Sequence, residues 1–303
     1  MMPAVPNGSF TTTRARFFRT IIVAMALVTA GCSRFDALNS LVPTCGYHCI
    51  ADVPYGPCAR QKLDIYQPEH FTAPAGVVIF FYGGDWQFGS KHDYRFVGQA
   101  LSSRGFIAVL PDYRLYPEVT FPAFVDDGAL AIRWVHDHAA TYGGDPRAIF
   151  LMGHSAGAHI AALLTLDGHY LQAVGLDRGA ICATAGLSGP YDFTPYEGDL
   201  AVFGMKAGDT PPAAMEPIHF VDGHEPPMLL VTGTADFTVD AGNTTRLARR
   251  IQQAGGKVKT IYYCGRGHVG VVMSLAYPFR WLAPTLRDVT EYFRGVMRSG
   301  SER

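Results

Sequence analysis

Residues 148–166 read AIFLMGHSAGAHIAALLTL, and this stretch decides the fold. An apolar run leads directly into the pentapeptide GHSAG at 153–157, and a run with helical character follows it. A strand that enters a helix through G-x-S-x-G forces the serine onto a tight turn, where small neighbours are needed because larger ones would collide. The pattern predicts that Ser155 projects above a sheet as a nucleophile. The alternative is a turn of small residues that only packs a helix on a strand.

Short β-rich runs alternate with amphipathic runs along most of the remaining chain. Strands are predicted at 62–66, 76–82, 105–111, 148–153, 180–189, 227–233 and 257–263. Several are apolar throughout, as strands covered on both faces of a parallel sheet should be. Helices are predicted near 91–103, 123–141, 156–166, 241–254 and 283–296, with Gly143 and Gly255 as C-caps. This order predicts an α/β fold, a doubly wound and mostly parallel sheet of about eight strands with helices on both faces.

A serine hydroxyl needs a base, and the base needs an orienting acid. In folds with this kind of serine turn, both follow the serine on loops after the carboxyl ends of strands. The loop after the strand at 227–233 offers Asp236 and Asp240, and the loop after the last predicted strand offers His268. We assign Asp236 as the acid because it lies nearer its strand, and Asp240 is the alternative, better placed to cap the next helix. His154, inside the pentapeptide, is expected to face away as a packing residue.

Several segments, taken in chain order, resemble the α/β-hydrolase superfamily. They are YGGDW (82–86), DYRLYPEVTFPAFVDDGALAIRWV (112–135), GHSAG (153–157), GTADFTV (233–239) and GRGHVG (265–270). The likeness extends over about residues 55–295 and is nearest to carboxylesterases of the hormone-sensitive-lipase-like and bacterial feruloyl-esterase-like groups, with kynurenine formamidase close by. The resemblance implies Ser155 as nucleophile, His268 as general base and acid, and Asp236 as the partner that orients it. It implies no cofactor.

The resemblance also implies an oxyanion hole in the stretch FFYGGDWQFGS at 80–90. Its donors would be the backbone N–H groups of Gly83, Gly84 and Ala156, the residue after the nucleophile. Tyr82 departs from the family, which usually has a histidine before the two glycines. Because the donors are main-chain atoms, Tyr82 changes only the side chain that supports the loop.

The N-terminus has the features of an export signal. Arg14, Arg16 and Arg19 precede the apolar run at 21–30, which is too short to cross a bilayer but suits the core of a signal peptide. The following Ala-Gly-Cys resembles the bacterial lipobox and predicts a lipid anchor at Cys32. Simple secretion and a retained anchor are the alternatives, and all of them export the protein.

The predicted organisation therefore has three parts. They are a lipoprotein-type signal peptide at 1–31, a linker at 32–54, and a catalytic domain at 55–298 with a lid segment near 194–227. The long, proline-rich lid segment is typical of a lid or binding wall. The expected location is the cell envelope, lipid-anchored and facing the periplasm.

Charge and cysteine content exclude other classes. With 25 basic and 26 acidic side chains the net charge is −1, so no nucleic-acid partner is expected. CGYHC at 45–49 has no second ligand pair at a usual spacing, so no metal site is expected either. Export permits a disulfide, and a bridge among Cys45, Cys49 and Cys58 is plausible.

The function predicted from the sequence is a serine carboxylesterase that cleaves small to medium esters through an acyl-enzyme. An aryl-formamidase or amidase would use the same residues with a different pocket. A hydrolase-like binding protein without activity is the alternative from another class.

Overall fold

The computed structural model describes residues 38–193, 200–206, 209 and 213–301. The chain divides into two compact units, 1–41 and 42–303, and the elements below belong to the second. The predicted signal peptide, Cys32 and parts of the predicted lid lie outside the described residues. No helix within the described ranges has the length and apolar character needed to cross a membrane.

In the part of the chain that the structure describes, eight strands form one sheet in the order β1-β2-β4-β3-β5-β6-β7-β8. Their bounds are β1 Tyr47–Pro54, β2 Lys62–Pro68, β3 Ala75–Phe81, β4 Ile107–Pro111, β5 Gly144–His154, β6 Ala183–Leu187, β7 Met228–Gly233 and β8 Val258–Tyr263. β2 runs antiparallel to both β1 and β4, and every other neighbouring pair is parallel. The predicted doubly wound, mostly parallel sheet is confirmed.

Helices connect the parallel strands. The α-helices of this unit are α1 Arg95–Ser102, α2 Ala123–His138, α3 Ala156–Leu166, α4 Gly168–Ala173, α5 Gly242–Gln253, α6 His268–Met273 and α7 Thr285–Ser301. β3, β4 and β7 are buried along their whole length, since their apolar sequences are covered on both faces. Gly143 and Gly255 adopt the left-handed conformation after a helical segment, with φ of 78° and 86°, as predicted.

The structure adds elements that the sequence did not predict. β1 lies inside the stretch 32–54, for which a linker was expected, and it pairs with β2 at the edge of the sheet. Most of its residues are exposed or only partly buried, so it has no apolar run to reveal it. α4 and α6 are too short to show a helical period.

The register of the parallel strands brings their carboxyl ends to one edge. Phe81 at the end of β3 lies beside Gly153, and His154 at the end of β5 lies beside Leu187. The last residues of β7 and β8, Gly233 and Tyr263, are likewise partners. Every loop that carries a predicted catalytic residue therefore starts at the same edge of the sheet.

Candidate active site

Ser155 occupies the sharp turn between β5 and α3. Its φ and ψ are 54° and −123°, a conformation that few residues with a side chain adopt. A Cβ built on Gly157 would lie 2.1 Å from the carbonyl oxygen of Phe81, and one on Gly153 would lie 2.2 Å from the carbonyl oxygen of Gly157. Both obstacles are backbone atoms, which cannot move aside. Gly157 is therefore required where the turn packs on β3, and Gly153 is required where the turn packs on its own backbone.

The turn also prepares the environment of the Ser155 hydroxyl. The Ser155 N–H donates to the Leu187 carbonyl at 2.9 Å, which fixes the turn to the end of β6. Ala156 is the first residue of α3, so its N–H has no acceptor within the helix. The positive end of the helix dipole therefore faces the region beside Ser155.

The glycine loop, which comprises residues 83–89 after β3, passes directly against the turn that carries Ser155. A Cβ on Gly83 would lie 2.9 Å from His154 Nδ1 and 3.0 Å from Ser155 Cβ. Gly84 has a φ of 140°, and a Cβ there would lie 2.1 Å from the carbonyl oxygen of Phe88. Burial raises the pKa of Tyr94, and the Gly83 backbone opposes this rise, which is the effect of an N–H that donates to the Tyr94 oxygen. Main-chain amides can thus approach the serine only because these positions lack side chains.

Asp236 and His268 form a hydrogen-bonded pair. His268 Nδ1 lies 2.9 Å from Asp236 Oδ2 and 3.1 Å from Oδ1, and the Asp236 side chain is fully buried. Oδ1 also accepts from the N–H groups of Thr238 and Val239 at 3.0 and 2.9 Å. Burial raises the pKa of Asp236, but the hydrogen bonds from His268 and from the Val239 amide outweigh it and hold the pKa below its usual value. The pair can therefore hold an ionised carboxylate against a histidine ring.

Asp240, the alternative acid, lies elsewhere. Its side chain is 79% exposed, and it accepts from the Gly242 N–H at 2.9 Å and lies 3.7 Å from Arg246 Nη1. Its carboxylate accepts from the first residue of α5, but the N-cap of that helix is Ala241, which makes no side-chain capping bond, so the capping position expected for Asp240 is wrong by one residue. The two candidates thus differ in both burial and partner.

His154 contacts the site rather than facing away from it. Its Nε2 lies 3.3 Å from the carbonyl oxygen of His268, and the two rings are 4.8 Å apart. Burial, and next the charge of His268, lower the pKa of His154 to about 3, so the ring is neutral. A donor at Nε2 leaves Nδ1 unprotonated towards Gly83. In the sequence, the one indication of this contact is that His154 directly precedes Ser155.

The described part of the predicted lid segment rests on this framework. Phe203 packs edge-on against Trp86 at 5.0 Å between ring centres. His159 on α3 donates from Nε2 to the Met215 carbonyl at 2.7 Å, and Trp86 packs edge-on against that ring as well. Trp86 is itself a residue of the glycine loop and therefore connects that loop with α3 and with the lid segment.

Neither a metal nor a disulfide contributes to the described site. Within the described ranges, no group of three or more His, Cys, Asp or Glu side chains is arranged to hold a metal ion. Cys45, Cys49 and Cys58, among which a bridge was plausible, are free thiols. What the site can offer is a serine, a histidine–carboxylate pair and backbone donors.

Ser155 on its turn, facing the glycine loop, with a histidine–aspartate pair at the same edge of a mostly parallel sheet, defines an α/β-hydrolase. The BD-FAE family model matches residues 63–251, and the chain belongs to that family. The sequence-based recognition of the superfamily and its esterase groups is confirmed.

Curated relatives are similar over most of this chain. The probable isoprenylcysteine alpha-carbonyl methylesterase ICMEL1 of Arabidopsis thaliana is 30% identical over 282 residues, which cover 84% of this chain and 59% of that protein. Esterase LipQ of Mycobacterium tuberculosis is 31% identical over 266 residues, 82% of this chain and 62% of its own length. The chain thus spans about three fifths of these relatives.

Solved structures share the fold. A truncated carbohydrate esterase from gut microbiota superimposes with a TM-score of 0.72 at 24% identity, covering 84% of this chain and 98% of that one. The esterase Est2 of Thermogutta terrifontis, with propionate bound, gives a TM-score of 0.66 at 26% identity and covers 84% of this chain and 96% of its own.

Proposed function

We propose that the protein is a carboxylesterase that cleaves small to medium carboxylic esters with Ser155, His268 and Asp236. The observation that carries the proposal is the buried Asp236–His268 pair at the sheet edge where Ser155 is held at a φ of 54°. The relatives named above are called esterases, which supports the same reaction class.

The proposed mechanism gives one role to each of the three residues. Ser155 Oγ attacks the ester carbonyl carbon while His268 Nε2 takes the hydroxyl proton, and Asp236 stabilises the resulting imidazolium at Nδ1. The tetrahedral intermediate then collapses, the proton passes from His268 to the departing alcohol, and an acyl-enzyme remains. Water deprotonated by His268 attacks the acyl-enzyme, and as the second tetrahedral intermediate collapses, His268 returns the proton to Ser155 Oγ and the carboxylic acid leaves.

Backbone amides would stabilise the oxyanion of each intermediate. Ala156, whose N–H opens α3, and the two loop glycines are the candidate donors. Since the Gly83 backbone already hydrogen-bonds Tyr94, we assign the larger share to Gly84 and Ala156.

We also propose that the protein is exported and anchored through a lipid on Cys32. The support is the sequence alone: arginines, an apolar run and the Ala-Gly-Cys that ends at Cys32. Metabolic labelling with a palmitate analogue should mark the wild-type protein and not Cys32→Ser, and equal labelling of both would contradict the anchor.

The decisive experiment for the reaction is a substrate panel. p-Nitrophenyl esters of increasing acyl length would be compared with N-formylkynurenine, using Ser155→Ala as the control. We expect ester turnover and fluorophosphonate labelling of the wild type, and a loss of about 10⁶-fold in kcat with no labelling in Ser155→Ala. A preference for N-formylkynurenine would indicate an aryl-formamidase, and a wild type that neither labels nor turns over would indicate a binding protein.

A further inference from the structure

Arg60 joins the two ends of the glycine loop, although no motif marks it. It lies in the turn between β1 and β2. Its Nη2 donates to the Tyr82 hydroxyl at 2.9 Å, just before the loop, and to the Gly89 carbonyl, at the other end. Its Nε donates to the Tyr113 carbonyl at 2.7 Å. One guanidinium thus connects the start of the loop, its end and the segment after β4.

Tyr82 is held firmly enough to serve as an anchor. Its side chain is fully buried, and its ring stacks on Tyr113 at 4.5 Å and on Tyr94 at 5.8 Å. The Tyr113 hydroxyl donates to the Tyr82 carbonyl at 2.8 Å, so the backbone is fixed as well. Burial, and next the carboxylate of Asp112, raise the pKa of Tyr82, so the phenol stays neutral and can accept from Arg60.

Arg60 is itself preorganised. The turn that carries it is closed by a bond from the Tyr55 N–H to the Gln61 carbonyl at 3.0 Å. The Gln61 side chain is fixed in turn, since its Nε2 donates to Asp127 at 2.6 Å. Asp112 lies 3.9 Å from the guanidinium and balances its charge. The side chain of Arg60 is still 29% exposed, so small solutes can reach it.

The loop between these anchors needs external support. Gly84, Asp85, Trp86 and Gly89 all have positive φ, at 140°, 50°, 59° and 101°. For Asp85 and Trp86 such a conformation costs on the order of 1–3 kcal/mol each, and it persists only where the surroundings impose it. Arg60 bonds Tyr82 before the strained Asp85 and Trp86, and Gly89 after them.

We propose that Arg60 is a positioning residue for the oxyanion hole, which it serves by fixing the separation of Tyr82 and Gly89 and so aiming the amides between them. The proposal rests on the proposed esterase function. A guanidinium presents several donors in a rigid plane, whereas a lysine ammonium is a point charge on a flexible stem. Lysine at position 60 therefore cannot bond all the Arg60 acceptors in the same geometry.

The test separates kcat from KM on a p-nitrophenyl ester that the wild type hydrolyses. We expect Arg60→Ala to lower kcat about 100-fold with KM within about twofold, and Arg60→Lys to recover only a small part, because misplaced donors weaken transition-state binding. Arg178→Met is the matched control: that arginine is 23% exposed, bonds the Leu166 carbonyl and Asp222, and does not contact the glycine loop. It should lower the melting temperature and leave kcat unchanged.

Two further measurements exclude a purely structural role. Guanidinium at millimolar concentration should restore part of the kcat of Arg60→Ala without changing that of Arg178→Met. Tyr82→Phe keeps the stacked ring and removes the hydroxyl that accepts from Arg60. The double variant with Arg60→Ala should lose less activation free energy in kcat than the sum of the losses of the two single variants, because both remove the same contact.

The outcomes are distinguishable. The proposal would be overturned if Arg60→Ala had the kcat of the wild type. It would also be overturned if Arg60→Ala and Arg178→Met lost kcat alike and guanidinium did not restore it. A wild type that hydrolyses no ester would instead overturn the proposed function.

Discussion

The two halves of the candidate site are built in different ways. Ser155 and the glycine loop follow β5 and β3 in the middle of the sheet, where the strands are buried. Asp236 and His268 follow β7 and β8, and β8 is the last strand and is partly exposed along most of its length. The central half presents the Ser155 hydroxyl and main-chain amides, and the edge half presents a pair of side chains.

This difference determines what can go wrong in each half. In the central half the geometry is enforced by exclusion, because a Cβ on Gly84 or Gly157 would collide with backbone at 2.1 Å. In the edge half it is enforced by hydrogen bonds, such as those that Asp236 accepts from His268 and Val239. A substitution in the central half therefore disturbs the site by a steric collision, and a substitution in the edge half disturbs it by loss of a charge or a hydrogen bond.

Among substitutions that keep the nucleophile, the largest effect should come from removing a charge in the edge half. Asp236→Asn keeps the size of the side chain but removes the charge that orients His268, so kcat should fall about 10⁴-fold. Asp240→Asn is the matched control, since that carboxylate is exposed and, among the described residues, its partners are Gly242 and Arg246. Steady-state kinetics of both variants would test the assignment, and a larger loss in Asp240→Asn would reverse it.

A substitution that causes a steric conflict in the central half should have the next largest effect. Gly84→Pro deletes a candidate donor and imposes a φ near −65° where the loop has 140°, so kcat should fall about 1,000-fold. Gly255→Pro imposes a similar conflict at a φ of 86° in open space after α5. It should lower stability and leave kcat unchanged. If Gly84→Pro kept wild-type turnover, the glycine loop would not form the oxyanion hole.

The smallest effect concerns the free energy of unfolding at acid pH, which depends on His159 in the helix that follows Ser155. Burial lowers the pKa of His159 to about 4, against an ordinary value near 6.5. Between these values the unfolded chain binds a proton that the folded chain does not, so stability falls as the pH drops from about 6.5 to 4. His159→Gln, which can still donate to the Met215 carbonyl, should remove up to about 1.4 kcal/mol per pH unit of that slope. Urea unfolding at several pH values would measure it, and an unchanged slope would contradict the neutral ring.

The sequence predicted the parts of the molecule that repeat a pattern. Each strand predicted from an apolar run is present, and the loops bearing Ser155, Asp236 and His268 meet at one edge because parallel strands end together. β1 was not predicted because its residues are exposed or only partly buried and form no continuous apolar run.

Arg60 and His154 show why part of the site could not be predicted. An arginine in a turn has no periodicity, and its bonds to Tyr82 and Gly89 depend on how β1 joins the sheet. The contact of His154 with His268 likewise depends on loops that are more than 100 positions apart in the chain. Both contacts arise from tertiary packing, and the position of His154 next to Ser155 is the one local sign of them in the sequence.

At Ser155, the backbone conformation that the proposed activity requires lowers the stability of the fold. Its φ of 54° is unfavourable for any residue with a Cβ and costs on the order of 1–3 kcal/mol. A glycine would occupy the same turn without this penalty, so a more stable protein is one substitution away and would have no nucleophile. Selection for robustness alone would therefore remove the residue on which the proposed chemistry depends.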